Sequence, residues 1–139
     1  MAVQLNHHII SARDKMEAAT FMTGILGLPD PVVVGPFAAV QVGETTLDFR
    51  DREGEFATQH YAFLVSDAEF DEIFGRIRER GLTYWADPMR SKAGETNDWD
   101  DGQGVYFDDP NGHLLEVITR PYGSGGQDAE HPHPLFAGD

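Results

Sequence analysis

Cysteine is absent from the 139 residues of the chain. Its absence excludes disulfide bonds, thiol catalysis and zinc sites built from thiolates, so any metal would have to be held by His, Asp and Glu. Basic residues are also scarce, since 10 Lys and Arg stand against 24 Asp and Glu and give a net charge of −14. The resulting field repels phosphates, which argues against nucleic acid and anionic membranes as partners.

The chain also lacks a long hydrophobic run. No stretch of about 18 apolar residues is present to span a bilayer, and the start, MAVQLNHHII, lacks the basic and then apolar layout of a signal peptide. We therefore expect a cytoplasmic protein. The length suits one domain, and the 15 Gly and 8 Pro are typical of a globular protein with many turns.

An internal repeat organises the sequence. Residues 5–28 can be laid over residues 58–82, which places His7 on His60. Each copy begins as a strand and continues as a helix with an apolar stripe. Three short strands are predicted after each helix: 31–34, 38–42 and 45–50 in the first copy, and 83–85, 104–108 and 114–119 in the second. The pattern βαβββ, present twice, predicts a single-domain α+β fold with modules at about 3–52 and 57–120 and a C-terminal arm, 121–139.

Both predicted helices carry start signals. Ser66 and Glu69 have the spacing of a capping box, which marks the beginning of the second helix. Asp14 and Glu17 have the same spacing in the first copy, where Gly27 is the predicted stop.

The segment GVYFDDPNGHLLEV, residues 104–117, predicts a hairpin with a carboxylate in an otherwise apolar strand. Asp-Pro-Asn-Gly at 109–112 is typical of a turn, because Pro fixes φ while Asn and Gly tolerate positive φ. Burying Glu116 in the strand that follows is costly unless a cation meets it. In the repeat Asp48 is the counterpart of Glu116, so two His and two carboxylates occupy equivalent positions of a duplicated unit.

This constellation predicts a metal site. Alternation along the first strand places His7 on one face and His8 on the other, which favours His7 and leaves His8 as the alternative. Two His and one carboxylate form the facial triad favoured by non-haem iron, and Fe, Mn, Zn, Ni and Co all accept such ligands. We expect one divalent ion at His7, His60 and Glu116, whose charge would offset the burial of the carboxylate. Asp48 is either a further ligand or a residue that faces solvent.

Three motifs resemble a known family over residues 3–120: LNHHIISARD at the first strand, QHYAFLVSD at the fifth and YFDDPNGHLLEV at the last hairpin. The chain is similar to the vicinal oxygen chelate superfamily, which includes glyoxalase I, fosfomycin-modifying thiol transferases, bleomycin-binding resistance proteins and extradiol dioxygenases. The motifs are specific for the superfamily but do not identify an activity.

The resemblance implies that the paired βαβββ modules curl into a half-open, eight-stranded barrel around a metal. It also places the metal on His7, His60 and Glu116, with a fourth ligand from the strand of Asp48 in glyoxalase I-like members. Tyr106 matches a pocket tyrosine of the thiol transferases, so Glu116 and Tyr106 are the expected catalytic residues. Members commonly form dimers, so a homodimer is expected, with a site that is sometimes shared between chains.

Residues 83–104 are expected either to form a polar surface loop or to cross the mouth of the barrel and bind substrate. The candidate substrate-binding residues are Trp85, Arg90, Asn97 and Trp99, together with Tyr106. The basic residues that grip the phosphonate in the thiol transferases are not clearly matched, and Arg90 and Lys92 are the nearest candidates.

The tail after residue 120 is rich in Gly and Pro. We predict a mobile or dimer-wrapping arm, in which His131 and His133 have little part in metal binding.

The implied function is that of a metal-dependent enzyme on a small substrate that chelates the metal through two adjacent oxygens. The metal would act as a Lewis acid, in chemistry of the lyase, isomerase or dioxygenase type. Glu116 or Asp48 would act as the base. The alternative is a metal-free protein that sequesters an aromatic drug or metabolite, although sequestration does not need the three ligand types.

Overall fold

The computed structural model describes residues 2–137 and divides into two compact units. The first unit runs to Thr58 and includes the turn Asp109–Gly112, and the second comprises Gln59–Asp108 and the residues from His113 onward. Within the first unit, the backbone N–H of Arg13 donates to Oδ1 of Asn111 at 2.9 Å, which fixes that turn. The single-domain organisation stays a prediction.

The first unit is a four-stranded sheet with one helix. Its elements are β1 (His7–Ala12), α1 (Lys15–Leu26), β2 (Val32–Val34), β3 (Phe37–Val42) and β4 (Thr45–Asp51). The strand order is β1-β4-β3-β2, with β1 parallel to β4 and the other pairs antiparallel. Helix α1 begins after Asp14, whose side chain accepts from the N–H groups of Met16 and Glu17, and ends at Gly27 with φ 71°.

The second unit repeats this arrangement. Its elements are β5 (His60–Leu64), α2 (Asp67–Glu79), β6 (Tyr84–Trp85), a 3₁₀ turn (Trp99–Asp101), β7 (Gly104–Asp108) and β8 (Leu114–Ile118). The strand order is β5-β8-β7-β6, again with one parallel pair, β5 and β8. Ser66 and Glu69 form both hydrogen bonds of the capping box in front of α2. The predicted α+β class and the paired βαβββ modules are confirmed.

Each sheet packs apolar side chains on one face. The opposite face, called here the open face, is the more exposed one along β1 and β5, but Glu116 and Tyr106 on it are buried. In β1 Ile10 is fully buried whereas Ile9 is 47% exposed, because successive side chains point to opposite sides. In β8 Leu115 and Val117 are buried on one side, and the register places Glu116 beside Ala62 on the other. The predicted ligand positions of each module therefore belong to the open face of its sheet. Residues 2–137 contain no helix that is long and apolar enough to cross a membrane.

Candidate functional site

His60 and Glu116 meet on the open face of the second sheet. The first lies at the start of β5 and the second in the middle of β8, the parallel neighbour of β5. Nε2 of His60 is 3.1 Å from Oε1 of Glu116. The carboxylate is almost fully buried, at 6% exposure, whereas 46% of the His60 side chain is exposed. Burial of a carboxylate is costly unless it is paired or hydrogen-bonded, so this place favours a positive charge.

The hydrogen bonds of His60 make it a suitable metal ligand. Its Nδ1 lies 3.0 Å from the carbonyl oxygen of Leu114, an acceptor, so Nδ1 carries a proton. In the neutral ring Nε2 then presents a lone pair toward the Glu116 carboxylate, which is also an acceptor. Two acceptors at this distance are compatible only with a cation, such as a proton or a metal ion, between them. A proton on Nε2 satisfies this requirement, and the hydrogen bond with Glu116 raises the pKa of His60. A divalent metal with nitrogen and oxygen ligands satisfies it equally well.

Tyr106 lies beside both His60 and Glu116. It faces Glu116 directly in the antiparallel pair of β7 and β8 and is 3% exposed. Burial, followed by the charge of Glu116 and a hydrogen bond with it, raises the pKa of the Tyr106 hydroxyl well above its usual range. The hydroxyl is therefore a hydrogen-bond donor and not a base. Its ring stacks on that of His60 with centroids 5.9 Å apart.

A cavity of about 760 Å³ opens beside these three residues. His60, Tyr106 and Glu116 form part of its wall, and most of the remaining wall is apolar. The apolar contributors include Met89, Trp99, Ile118, Tyr122 and Leu135. Volume and lining are those of a small-molecule site with a few polar groups.

Two of the predicted substrate-binding residues, Arg90 and Trp85, contact each other, and Arg90 also forms an ion pair with Asp108. Nε and Nη2 of Arg90 lie 3.2 and 2.6 Å from Oδ1 of Asp108, and the guanidinium carbon is 5.6 Å from the centre of the Trp85 ring. Neither Arg90 nor Trp85 is among the described residues that line the cavity. Their roles in substrate binding stay predictions.

The other predicted residues of segment 83–104 have different positions. Nδ2 of Asn97 donates to the carbonyl of Ala86, and its Oδ1 accepts from the N–H of Trp99, so this side chain holds the loop together. Trp99 lines the cavity and packs edge-on to Tyr106, with centroids 6.0 Å apart. Lys92, named from the sequence only as a basic residue, also lines the cavity.

His7 and Asp48 lie on the open face of the first sheet. In the parallel pair β1 and β4 Ile9 is the neighbour of Asp48, just as Ala62 is the neighbour of Glu116 in the second sheet. His7 is exposed, and its Nδ1 is 2.7 Å from Oδ1 of Asn6. Over the described part of the chain, 2–137, no group of three or more His, Asp and Glu side chains is spaced to hold a metal. Of the four predicted ligands, the structure brings His60 and Glu116 together.

The sequence interpretation missed the contribution of the tail. Tyr122, His133 and Leu135 line the cavity, because the tail folds back on the second unit. Two carboxylates hold the backbone of the tail by hydrogen bonds, and the expected mobile or dimer-wrapping arm stays a prediction. The only sequence signals are the Asp doublet at 100–101 and the stiff His-Pro-His-Pro at 131–134.

Residues 4–117 match the model of the Glyoxalase/Bleomycin resistance protein/Dioxygenase superfamily. The chain belongs to this superfamily. It is 30% identical over 122 residues to the metallothiol transferase FosB of Shouchella clausii, covering 83% of this chain and 79% of that one. The predicted membership of the vicinal oxygen chelate superfamily is thus confirmed.

Two solved structures of oxidases are more similar still. Oxidase ChaP-H1 is 56% identical with a TM-score of 0.86, and the match covers 88% of this chain and all of that one. Oxidase ChaP-H2 is 57% identical with a TM-score of 0.87, over 91% of this chain and all of the other. The two solved structures cover most of this chain, and both are named as oxidases.

Proposed function

We propose that the protein is a metal-dependent oxidase whose substrate binds the metal through two adjacent oxygens. The observation that carries the proposal is the 3.1 Å approach of His60 to the buried Glu116 at the wall of a largely apolar cavity. The FosB and ChaP relatives support the more general part of this proposal, that the chain is a metal-dependent enzyme of this superfamily. The substrate and the metal are part of the proposal.

Oxidation is favoured over thiol transfer for two reasons. The two oxidases share 56 and 57% of their residues with this chain, whereas the thiol transferase FosB shares 30%. The cavity also offers few positive charges to an anionic thiol or phosphonate, since Arg90 is paired with Asp108 and the whole chain carries −14. Lys92 is the one Lys or Arg among the described residues of its wall.

The proposed ligands are His7, His60 and Glu116. Iron(II) held by two His and one carboxylate would have positions free for a chelating substrate and would supply the one-electron chemistry that lets dioxygen react with an organic substrate. The carbonyl of Leu114 orients the His60 ring through Nδ1. Asp48, at the position equivalent to Glu116, is proposed to approach the ion through water.

The side chains around the ion have separate tasks in this proposal. The carboxylate oxygen of Glu116 that does not bind the metal would accept the proton of a substrate hydroxyl, since Glu116 is the carboxylate in contact with His60. Tyr106 keeps its proton and donates a hydrogen bond to that carboxylate or to a substrate oxygen. The apolar wall, with Trp99 and Ile118, offers a surface on which the apolar part of the substrate packs.

We further propose a homodimer in which His7 of a second copy completes the site. The resemblance to the vicinal oxygen chelate superfamily implies a site that is sometimes shared between chains. Strand β2 also presents three exposed valines at the edge of the first sheet, Val32, Val33 and Val34, at 62, 60 and 55% exposure. An exposed apolar edge is favourable to cover with another chain. A cytoplasmic location stays a prediction.

A mixing experiment tests the shared site. His7→Ala and Glu116→Ala chains, each unable to bind metal alone, are unfolded, mixed in equal amounts, refolded and loaded with iron(II). If the ligands come from two chains, each mixed dimer has one intact site, so metal returns to about a quarter of the parent level on random pairing. If all three ligands come from one chain, no metal returns.

A spectroscopic titration tests the proposed chelation. 4-Nitrocatechol, which has two adjacent oxygens, is added without oxygen to the iron-loaded protein, and its visible spectrum is followed. Direct chelation predicts a new absorption band that is absent after treatment with a chelator and in His60→Ala. An unchanged spectrum of the ligand in the parent would contradict the proposal.

The metal-free binding protein remains the second candidate, because the cavity wall is largely apolar and can hold an aromatic ligand without a metal. The same titration separates the two. A binding protein would take up the catechol with equal affinity before and after removal of the metal.

A further inference from the structure

The C-terminal tail is fixed to the second unit by two adjacent carboxylates. Oδ2 and Oδ1 of Asp100 accept from the N–H groups of Gly123 and Gly125 at 2.9 and 3.0 Å. Oδ2 and Oδ1 of Asp101 accept from Glu130 and His131 at 3.1 and 2.7 Å. Hydrogen bonds from charged acceptors are stronger than neutral ones, so four of them define the path of the tail.

The backbone of the same two residues is adapted to this task. Asp100 and Asp101 have φ of 59° and 61°, in the left-handed region that Asp tolerates better than most residues. The N–H of Asp100 donates to the carbonyl of His131 at 2.7 Å. Asp100 is itself buried, at 7% exposure. A strained, buried turn that binds five backbone groups of the tail indicates that the position of the tail matters.

The fixed tail delivers His133 to the cavity. This side chain is 8% exposed and lines the same cavity as His60 and Glu116. Its ring packs edge-on to Trp99, with centroids 4.7 Å apart, and to Tyr122 at 5.0 Å. Rings in contact thus run from His60 through Tyr106 and Trp99 to His133, which places two aromatic side chains between the metal ligand and the tail histidine.

The hydrogen bonding of His133 fixes its tautomer. The N–H of Leu135 donates to Nδ1 at 3.1 Å, so Nδ1 is an acceptor and the proton of the neutral ring is on Nε2. No hydrogen bond joins Nε2 to another residue among those described. No buried side-chain nitrogen or oxygen among the described residues lacks a hydrogen-bond partner, so Nε2 of His133 is accessible. Its N–H is therefore available to a ligand in the mostly apolar cavity that His133 lines.

We propose that His133 is a substrate-positioning residue, whose Nε2–H donates to a substrate oxygen other than the two that chelate the metal. The inference rests on the proposed function and specifies its substrate: a flat aromatic compound with an adjacent pair of oxygens at one end and a carbonyl or hydroxyl farther along. The aromatic part lies against Trp99 and Tyr122, and the tail sets how far from the metal the second oxygen group must be. The family match ends at residue 117, so this element lies outside the part that the superfamily shares.

The test compares two ligands that differ in the second oxygen group. Alizarin has two adjacent hydroxyls and also two ring carbonyls, whereas 2,3-dihydroxynaphthalene has the adjacent hydroxyls alone. Both are titrated into iron-loaded protein without oxygen. His133→Phe keeps an aromatic ring and removes the donor, and His133→Gln restores an N–H near the position of Nε2.

Loss of one neutral hydrogen bond corresponds to a change in affinity of about two- to tenfold. We expect His133→Phe to bind alizarin more weakly by this factor, to bind 2,3-dihydroxynaphthalene as the parent does, and to be rescued in part by His133→Gln. The matched control is His131→Phe, a substitution two residues away on the same tail at a side chain that is 51% exposed. It should change neither affinity.

Two outcomes would overturn the positioning role. Equal binding of alizarin by parent and His133→Phe would show that no hydrogen bond is formed. An equal loss for both ligands would show that the ring merely packs and holds the tail. The metal content of every sample is measured in parallel, and the alizarin titrations are repeated on chelator-treated protein by quenching of tryptophan fluorescence. If the parent protein binds no metal, the proposed function is refuted but the role of His133 is still tested. The ratio of the alizarin affinities of the parent and His133→Phe measures that role without metal.

Discussion

Nε2 of His60 and Oε1 of Glu116 lie 3.1 Å apart, although 56 residues separate them in the sequence. Parallel pairing of β5 with β8 brings them to one face, where the carboxylate is buried and the imidazole is half exposed. The same pairing of β1 with β4 places His7 and Asp48 on the equivalent face of the first sheet. This duplication allows the contribution of each carboxylate to be measured against its counterpart.

Glu116→Gln should weaken metal binding more than Asp48→Asn. Glu116 is in contact with His60 and is proposed as a direct ligand, whereas Asp48 has a shorter side chain and is proposed to act through water. Loss of a group that acts indirectly typically costs about 10- to 100-fold in affinity, and loss of a direct ligand costs more. Competition with a chromophoric chelator measures both. Equal losses would make Asp48 a direct ligand, and an unchanged affinity in Asp48→Asn would place it in solvent.

Tyr106→Phe should retain the metal but bind a chelating ligand less tightly. The substitution removes a buried hydroxyl that interacts with Glu116 and leaves the ring that stacks on His60. One lost hydrogen bond predicts a decrease in affinity for 4-nitrocatechol of about two- to tenfold. Elemental analysis should show parent metal content in the same sample. Loss of the metal itself would mean that Tyr106 positions Glu116 and not the substrate.

The repeated fold could be predicted because its signals are local. Asp14 and the pair Ser66 and Glu69 cap their helices as their spacing indicates, and Gly27 ends the first helix in the left-handed region. Alternation of side chains along each strand is equally local, so the open face that includes His60 followed from the sequence. The observed strand ends differ from the predicted ones by at most one residue. Strand β2, for example, begins at Val32 and not at Pro31, which lacks an N–H for the ladder.

The rest of the site depends on partners that leave no mark in the sequence. Arg90 is predicted to bind substrate, and the sequence does not show that its guanidinium is paired with Asp108, 18 residues farther along the chain. Asp100 binds backbone N–H groups of the tail, and such groups are present in every residue except Pro. A tail fixed in this way has no hydrophobic or charge pattern in its sequence, so the sequence does not predict that His133 lines the cavity.

Asp100→Asn should loosen the tail and reduce ligand binding without loss of metal. The side chain has two oxygens that accept two N–H groups, and an amide can accept only one of them while its own N–H₂ faces the other. Asn tolerates the left-handed backbone, so the turn itself should persist. We expect faster amide exchange across residues 121–136 and weaker binding of alizarin. Asp98→Asn, at an exposed position beside His131, is the control. Identical amide exchange in the two variants would show that the hydrogen bonds of Asp100 do not hold the tail.

The metal content of protein purified without chelators is the most direct test of the central claim. Parent protein, His60→Ala and His8→Ala are reconstituted with iron(II) without oxygen and analysed by elemental analysis after removal of free metal. His8 lies in β1 beside His7 but points to the opposite side of the strand. We expect about one metal ion per chain in the parent and in His8→Ala and almost none in His60→Ala. Full occupancy in His60→Ala, or loss of the metal in His8→Ala alone, would contradict it.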